Sequence, residues 1–220
     1  DPPGASYFQV LEINEICLGI SKIEFEGERE LGGNISFETA PGTNFPSIRL
    51  VPQIPQMNVT ISNFDIPQGS YERFRCDLVL KEISSELLHD NSYVDTIAAG
   101  LFITGEFGQI WWNKEEPFLT DSVHIVPFEF IMDESTSLYF CSSLLNDNSD
   151  YILDDDAEYK FILFFDFSSA FESLPYYLFE NAELSDNGLE NKLIINKYVN
   201  REQYEVLSQM LNNSLSMYIK

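Results

Sequence analysis

The sequence predicts a mainly β protein, an antiparallel β-sandwich with one C-terminal helix packed at its side or end. Three observations predict it. Apolar residues recur with a period of two, as in Phe74, Cys76, Leu78 and Leu80 against Arg73, Arg75, Asp77 and Lys81. That alternation belongs to antiparallel strands with one face on a core and the other in water. Turn formers punctuate the alternating runs, and many short strands joined by such turns build a sandwich or a barrel. A period of 3.6 occurs once, near the C-terminus.

In chain order, Ser21–Glu26 and Ile35–Thr39 read as strands separated by the turn Gly32-Gly33-Asn34, with Pro41-Gly42 as the next turn. Met57, Val59 and Ile61 alternate with Asn58, Thr60 and Ser62, and Pro67-Gln68-Gly69-Ser70 turns the chain into the strand around Phe74. Gly100–Phe107, Ser122–Met132 and Leu138–Cys141 follow. Pro127 cannot donate to a ladder, so its strand is expected at an edge or with a bulge. Tyr159–Phe167 is apolar on both faces, with Phe161, Leu163 and Phe165 opposite Ile162 and Phe164, and is expected as a central strand covered on both sides. A strand at Lys192–Lys197 precedes the helix. Asn200 is its expected N-cap, with Gln203 completing a capping-box-like pair. Tyr204, Leu207 and Leu211 share one helical face, Asn212-Asn213 ends the helix, and Leu215, Met217 and Ile219 form a last strand. The chain reads as one domain, 1–220, with a strand–helix–strand extension at about 190–220. The loop-like stretch at 84–95 is the one place for a boundary, but the aromatic strands on both sides of it need each other as partners.

The totals exclude several classes. Twelve Lys and Arg against 36 Asp and Glu give a net charge of −24, which disfavours nucleic acid and anionic bilayers as partners. A hydrophobic content of 44%, with 18 Phe and 11 Tyr, supplies a core and argues against disorder. No apolar run approaches the roughly 18 residues of a transmembrane helix. The chain opens Asp1-Pro2-Pro3-Gly4 without Met, as expected of a mature chain whose targeting segment has been removed. Cys17, Cys76 and Cys141 lack metal-site spacing; buried free thiols are expected, with one long-range disulfide left open.

Chemistry-bearing motifs are sparse. There is no Gly-x-Ser-x-Gly elbow, no phosphate-binding or dinucleotide loop, and only His89 and His124 could serve as an imidazole base. No cofactor is expected. Two features stand out. The segment Asn146–Glu158 is rich in hard oxygen donors, which makes Asp147, Asp150, Asp154 and Asp156 candidate Ca²⁺ ligands; an EF-hand register fails because Ile152 stands where that loop needs Gly. The plainer reading is a solvated acidic loop. Trp111-Trp112 are the candidate ligand-binding residues. Neighbours on a strand point to opposite faces, so one Trp can be core while the other forms a flat sugar-stacking platform. Packing of both at the edge of the core is the plainer reading here.

The order of these pieces resembles a known group. Ile66-Pro67-Gln68-Gly69-Ser70-Tyr71-Glu72-Arg73-Phe74-Arg75 resembles the Leu-Pro-x-Gly-x-Tyr turn and strand of β-sandwich domains in lipid-anchored envelope proteins of Bacteroidetes. Gly100–Gly105 and Val126–Phe130 are similar to the next pieces of one uncharacterised family of these. Phe164–Phe171 is similar to its aromatic strand end, with Ala170-Phe171 where the group often has a Trp, and the strand, helix and strand over Leu193–Ile219 are similar as well. The sandwich is expected to be immunoglobulin-like or transthyretin-like, and fimbrillin-like or transthyretin-like sandwiches are the more distant resemblances. The resemblance implies a cell-envelope lipoprotein anchored through a Cys upstream of Asp1. The function implied is non-catalytic: binding or adhesion of a glycan or envelope protein, with a fimbrial-type structural subunit as the alternative and an envelope hydrolase after that. It transfers no site residues.

Overall fold

The computed structural model describes residues 5–40, 43–51, 65–88, 97–113, 120–142, 151–154, 158–166, 179, 181–186 and 191–220, with backbone alone for 5–10, 109–113, 120–124 and 186. Two sheets carry the chain. Sheet A is ordered β11-β12-β7-β6-β1-β4, from strands β1 (Ala5–Leu18), β4 (Ile48–Leu50), β6 (Ala99–Asn113), β7 (Thr120–Asp133), β11 (Leu184–Asp186) and β12 (Asn191–Ile195). Sheet B is ordered β10-β13-β8-β5-β2-β3, from β2 (Ile20–Arg29), β3 (Ile35–Glu38), β5 (Gly69–Leu80), β8 (Ser137–Ser142), β10 (Phe161–Phe165) and β13 (Leu215–Ile219), while β9 (Tyr151–Leu153) pairs with the start of β5. All pairings are antiparallel except β12 with β7 and β13 with β8. The architecture is a β-sandwich with one helix, α1 (Arg201–Asn213), as the periodicity predicts.

The sheets are joined at one end by strands that pass from one to the other. Only Gly19 separates β1 in sheet A from β2 in sheet B. Its N–H donates to the Gly100 carbonyl (2.9 Å), and its own carbonyl accepts from Lys81 N (3.1 Å). Leu80 N donates to Thr136 O and Glu134 N to Ala98 O, so the β5–β6 and β7–β8 crossings are bound at the same end. A Cβ on Gly19 would lie 2.3 Å from the Lys81 carbonyl oxygen, which is why only Gly fits.

Phe74 is fully buried at the centre of the aromatic core. Its ring meets Phe25, Tyr71, Tyr151 and Phe161, with centroids 4.7–5.7 Å apart. Phe161 also meets Phe25 edge-on at 4.9 Å. In a flat sheet of this order β10 and β2 would lie on the order of 19 Å apart. Sheet B therefore curls, and β10 and β13 fold over its inner face. Tyr71, fully buried, donates its hydroxyl to the Pro67 carbonyl (2.6 Å), which accounts for the Pro-x-Gly-x-Tyr pattern: the ring joins the core while its oxygen pins the entering turn.

Three expectations are corrected, and the one for Pro127 is met locally. Among the described residues β10 lies at the end of sheet B rather than in its middle, and it is not covered on both faces: Phe161, Leu163 and Phe165 pack on the core, whereas Phe164 on the other face is 45% exposed. β7 is flanked on both sides at Phe128–Phe130, where β12 joins it; that ladder stops one residue short of Pro127, so the proline sits where β7 has β6 alone beside it. Asn200 does not cap α1 with its side chain. It adopts the left-handed conformation (φ 54°), donates from Nδ2 to the Glu183 and Ile194 carbonyls, and accepts from Glu183 N through Oδ1. Asn suits both roles, because its short amide tolerates φ > 0 and bonds backbone groups locally. Cys141 is exposed, since Leu138 and Phe140 hold the inward phase of β8; Cys17 and Cys76 are buried free thiols. Cys76 stands opposite Phe140 and so points away from Cys141, which prevents a bridge between them. The Met57–Ile61 alternation lies outside the described residues.

The helix carries the chain from β12 in sheet A to β13 in sheet B. Gln203, Leu207 and Leu211 are buried beneath it, and Tyr204 stacks on Phe130 (5.8 Å). A smaller apolar cluster of Cys17, Ile83, Ala99, Phe102 and Ile131, covered by Leu87 and Leu88, lies on the outer side of sheet A.

Two substitutions test these assignments. Gly19→Ala is expected to cost about 3 kcal/mol or more, or to prevent folding, as read by denaturant melts. Asn200→Asp would be tolerated at an N-cap; here it removes both amide donations and is expected to cost about 1–3 kcal/mol. An unchanged stability for Asn200→Asp contradicts the stitching role.

Candidate functional site

The outer face of sheet B is a patterned surface, built by register. The polar phase of β2 supplies Lys22, Glu24, Glu26 and Glu28, and that of β5 supplies Arg73, Arg75 and Asp77. Pairing brings Glu38, Glu24, Asp77 and Tyr139 into one row across four strands, and Ser36, Glu26, Arg75 and Cys141 into the next. Side chains in one row stand about 5 Å apart. Together they line a shallow groove of about 770 Å³ that is open to water. Tyr139 is its exposed aromatic, with 54% of its surface free.

Ion pairs brace the groove. Lys22 bonds Glu24 (2.8 Å) and Glu38; Arg73 places two nitrogens on Glu28 Oε2 (2.7 and 3.0 Å); Arg75 lies 3.4 Å from Glu28 and 3.9 Å from Glu26. Five carboxylates therefore face three cations, an excess of two negative charges. Such exposed pairs add little stability; what they do is fix side-chain directions. Asp77 has its carboxyl pushed above the ordinary range, first by burial and then by Glu24 and Glu26, with Arg75 acting in the opposite sense. The protein holds a negative charge there at some cost to its own stability.

The sequence candidates fall elsewhere. Trp111 and Trp112 lie near the end of β6, between Tyr7 and Ser6 of β1 and Ser122 and Thr120 of β7, with a register shift between them; their side chains are outside the described residues. Asp154 follows β9 directly, and its backbone N–H donates to the Tyr159 hydroxyl (2.9 Å). Asp147, Asp150 and Asp156 are outside the described residues, as is His89. Among the described residues no group of three or more His, Cys, Asp or Glu is placed to hold a metal ion, and no helix is long and apolar enough to cross a membrane.

The buried thiols have no part in such chemistry. Burial, helped by Glu15, pushes the Cys17 thiol up to about 12, and burial with Asp77 does the same to Cys76, so neither forms a thiolate near neutral pH. On the outer side of sheet A a second polar pair, Glu129 and Lys192 (2.6 Å), is largely buried and joins β7 to β12. Comparison of the chain with protein-family models, with curated proteins and with solved structures finds no match.

The cost at Asp77 has a sign that can be checked. A carboxyl whose folded value is raised destabilises the native state above that value, and the effect vanishes below the ordinary aspartate value of 3.8. Asp77→Asn is thus expected to raise the melting temperature at pH 7, with the gain shrinking to nothing by about pH 3. A loss of stability at pH 7 contradicts this.

Proposed function

We propose that this chain is a non-catalytic binding domain of the cell envelope, carried on a lipid-anchored protein, and that its ligand, a glycan or an envelope protein, docks on the outer face of sheet B. One observation carries the reading: the groove gathers an exposed Tyr139, a guanidinium at Arg75 and carboxylates at Asp77 and Glu24 on neighbouring, hydrogen-bonded strands. A flat aromatic edge beside fixed polar groups suits a saccharide or an extended polypeptide. The groove is shallow and open to water, which favours binding over turnover. The extra cost borne at Asp77 supports the same reading, since sites selected for binding are commonly not optimised for stability.

The runner-up is a structural assembly subunit. It is supported by β10, an uncharged strand at the end of sheet B.

Ligand screening by thermal shift and glycan array tests the first reading. A ligand at 100 times its dissociation constant stabilises by about 2.7 kcal/mol, enough to see in a melt. Tyr139→Ala is expected to weaken that ligand on the order of tenfold or more while the unliganded melting temperature stays within a degree or two, because an exposed side chain adds little to folding. Undiminished binding by Tyr139→Ala overturns the placement.

A further inference from the structure

The outer face of sheet A carries a second hollow, on the opposite side of the sandwich from the groove. Its volume is about 310 Å³, at the low end of small-molecule sites, and it is open to water. Register explains it. Two outward rows cross β6 and β7 there: Thr104 stands opposite Glu129, and Glu106 opposite Pro127. The two short residues lie on one diagonal of that square and the two glutamates on the other, about 7–8 Å apart by backbone spacing. Thr104 and Pro127 thus leave a depression between longer side chains. Leu87 and Phe102 add apolar lining, and Glu15 and Lys192 line it as well.

The cations around the hollow are already committed. Arg49 places two nitrogens on Glu15 (2.6 and 3.0 Å), and Lys192 donates to Glu129 Oε1 (2.6 Å). Acceptors are left over. Glu129 is only 2% exposed, and among the described residues its second oxygen, Oε2, accepts no hydrogen bond. A buried carboxylate with half of its acceptor capacity unused is costly. Glu12 of β1 stands directly opposite Glu106, and among the described residues neither forms an ion pair. Like charges placed so destabilise a sheet. Glu12, Glu15, Glu106 and Glu129 therefore face Arg49 and Lys192, and the uncompensated charge sits at Glu12 and Glu106, beside the free oxygen of Glu129.

We propose that this hollow binds a compact primary amine in its ammonium form. The ammonium donates to Glu129 Oε2 and to the Glu106 carboxylate, and the short apolar body lies over Pro127, Leu87 and Phe102. An ammonium carries three donors and no acceptor, which matches a wall whose spare groups are carboxylate oxygens. Such charge-assisted bonds are the strong kind, and the one to Glu129 is made at a buried oxygen. A bare metal ion fits less well, because among the described residues no three His, Cys, Asp or Glu are placed to hold one. An anion fits worse still: Glu106 and Glu12 repel it, and the charge of Lys192 is neutralised by Glu129. The hollow shares no lining residue with the groove, so this site stands apart from the ligand proposed for sheet B.

Titration of the full chain with butylammonium at physiological salt, followed by amide NMR shifts, is the test. A chain of −24 attracts cations broadly, so the readout is a saturable shift at the Thr104, Glu106 and Glu129 amides. Tetramethylammonium has the charge without the donors, and butanol has the body without the charge. Each is expected to bind about tenfold more weakly or worse. Glu106→Gln removes one carboxylate and the repulsion with Glu12. It is expected to weaken butylammonium on the order of tenfold without lowering the melting temperature, and Tyr139→Ala to leave this binding unchanged. A capped Gly-Lys-Gly peptide identifies the source of the amine: tighter binding than butylammonium assigns a lysine side chain, weaker binding a free amine. Shifts that fail to saturate at those three amides overturn the proposal, as does equal binding of tetramethylammonium or a Glu106→Gln variant that binds butylammonium undiminished.

Discussion

The fold depends on one end of the sandwich, where the chain passes between the two sheets three times beside Gly19: β1 to β2, β5 to β6 and β7 to β8. Two of the crossings are short, and backbone groups at this end are bonded to one another: Gly19 to Gly100 and Lys81, Leu80 to Thr136, Glu134 to Ala98. Buried backbone groups must find partners, and here they find them in the neighbouring crossings. Because β1, β5 and β7 enter this end and β2, β6 and β8 leave it, the register of each sheet is fixed relative to the other. Everything on the outer face of sheet B inherits its position from that arrangement. The acidic excess of the chain is therefore not only a solvated exterior: part of it is drawn into ordered rows between two arginines and a lysine.

Much of this was legible in the sequence. The alternations around Phe74, Gly100, Pro127 and Leu138 are β5 to β8, and the late 3.6-residue pattern is α1. β1 was not legible, for a local reason. Its inward residues are Leu11 and Ile13, then Ile16 and Leu18, and the phase changes where a bulge inserts Asn14 between the Ile13 and Glu15 pairings with β6. A period of two read across that point cancels itself. β10 misleads in the opposite way. Apolarity on both faces ordinarily marks a strand in the middle of a sheet, whereas here one face is buried by the curl of the sheet and the other stays open.

The site shows the same division. The polar phases of β2 and β5 mark a wet face, and Arg73, Arg75 and Asp77 are evident there. Sequence does not say that Glu24, about fifty residues from Asp77, stands beside it, or that Tyr139 completes the row. Those are facts of register between distant strands. The features that looked chemical in the sequence, paired tryptophans and an acidic run, are conspicuous by type; the groove is conspicuous only by arrangement, and none of its residues is unusual alone.

Ordered outer-face chemistry on sheet B is the centre of this account, and amide hydrogen exchange with and without a ligand found by screening tests it most directly. Added protection is expected in β2, β5 and β8, concentrated at Glu24–Glu26, Arg75–Asp77 and Tyr139–Cys141. Protection confined to the end of β6 around Trp111 and Trp112, with those three stretches unchanged, would contradict it.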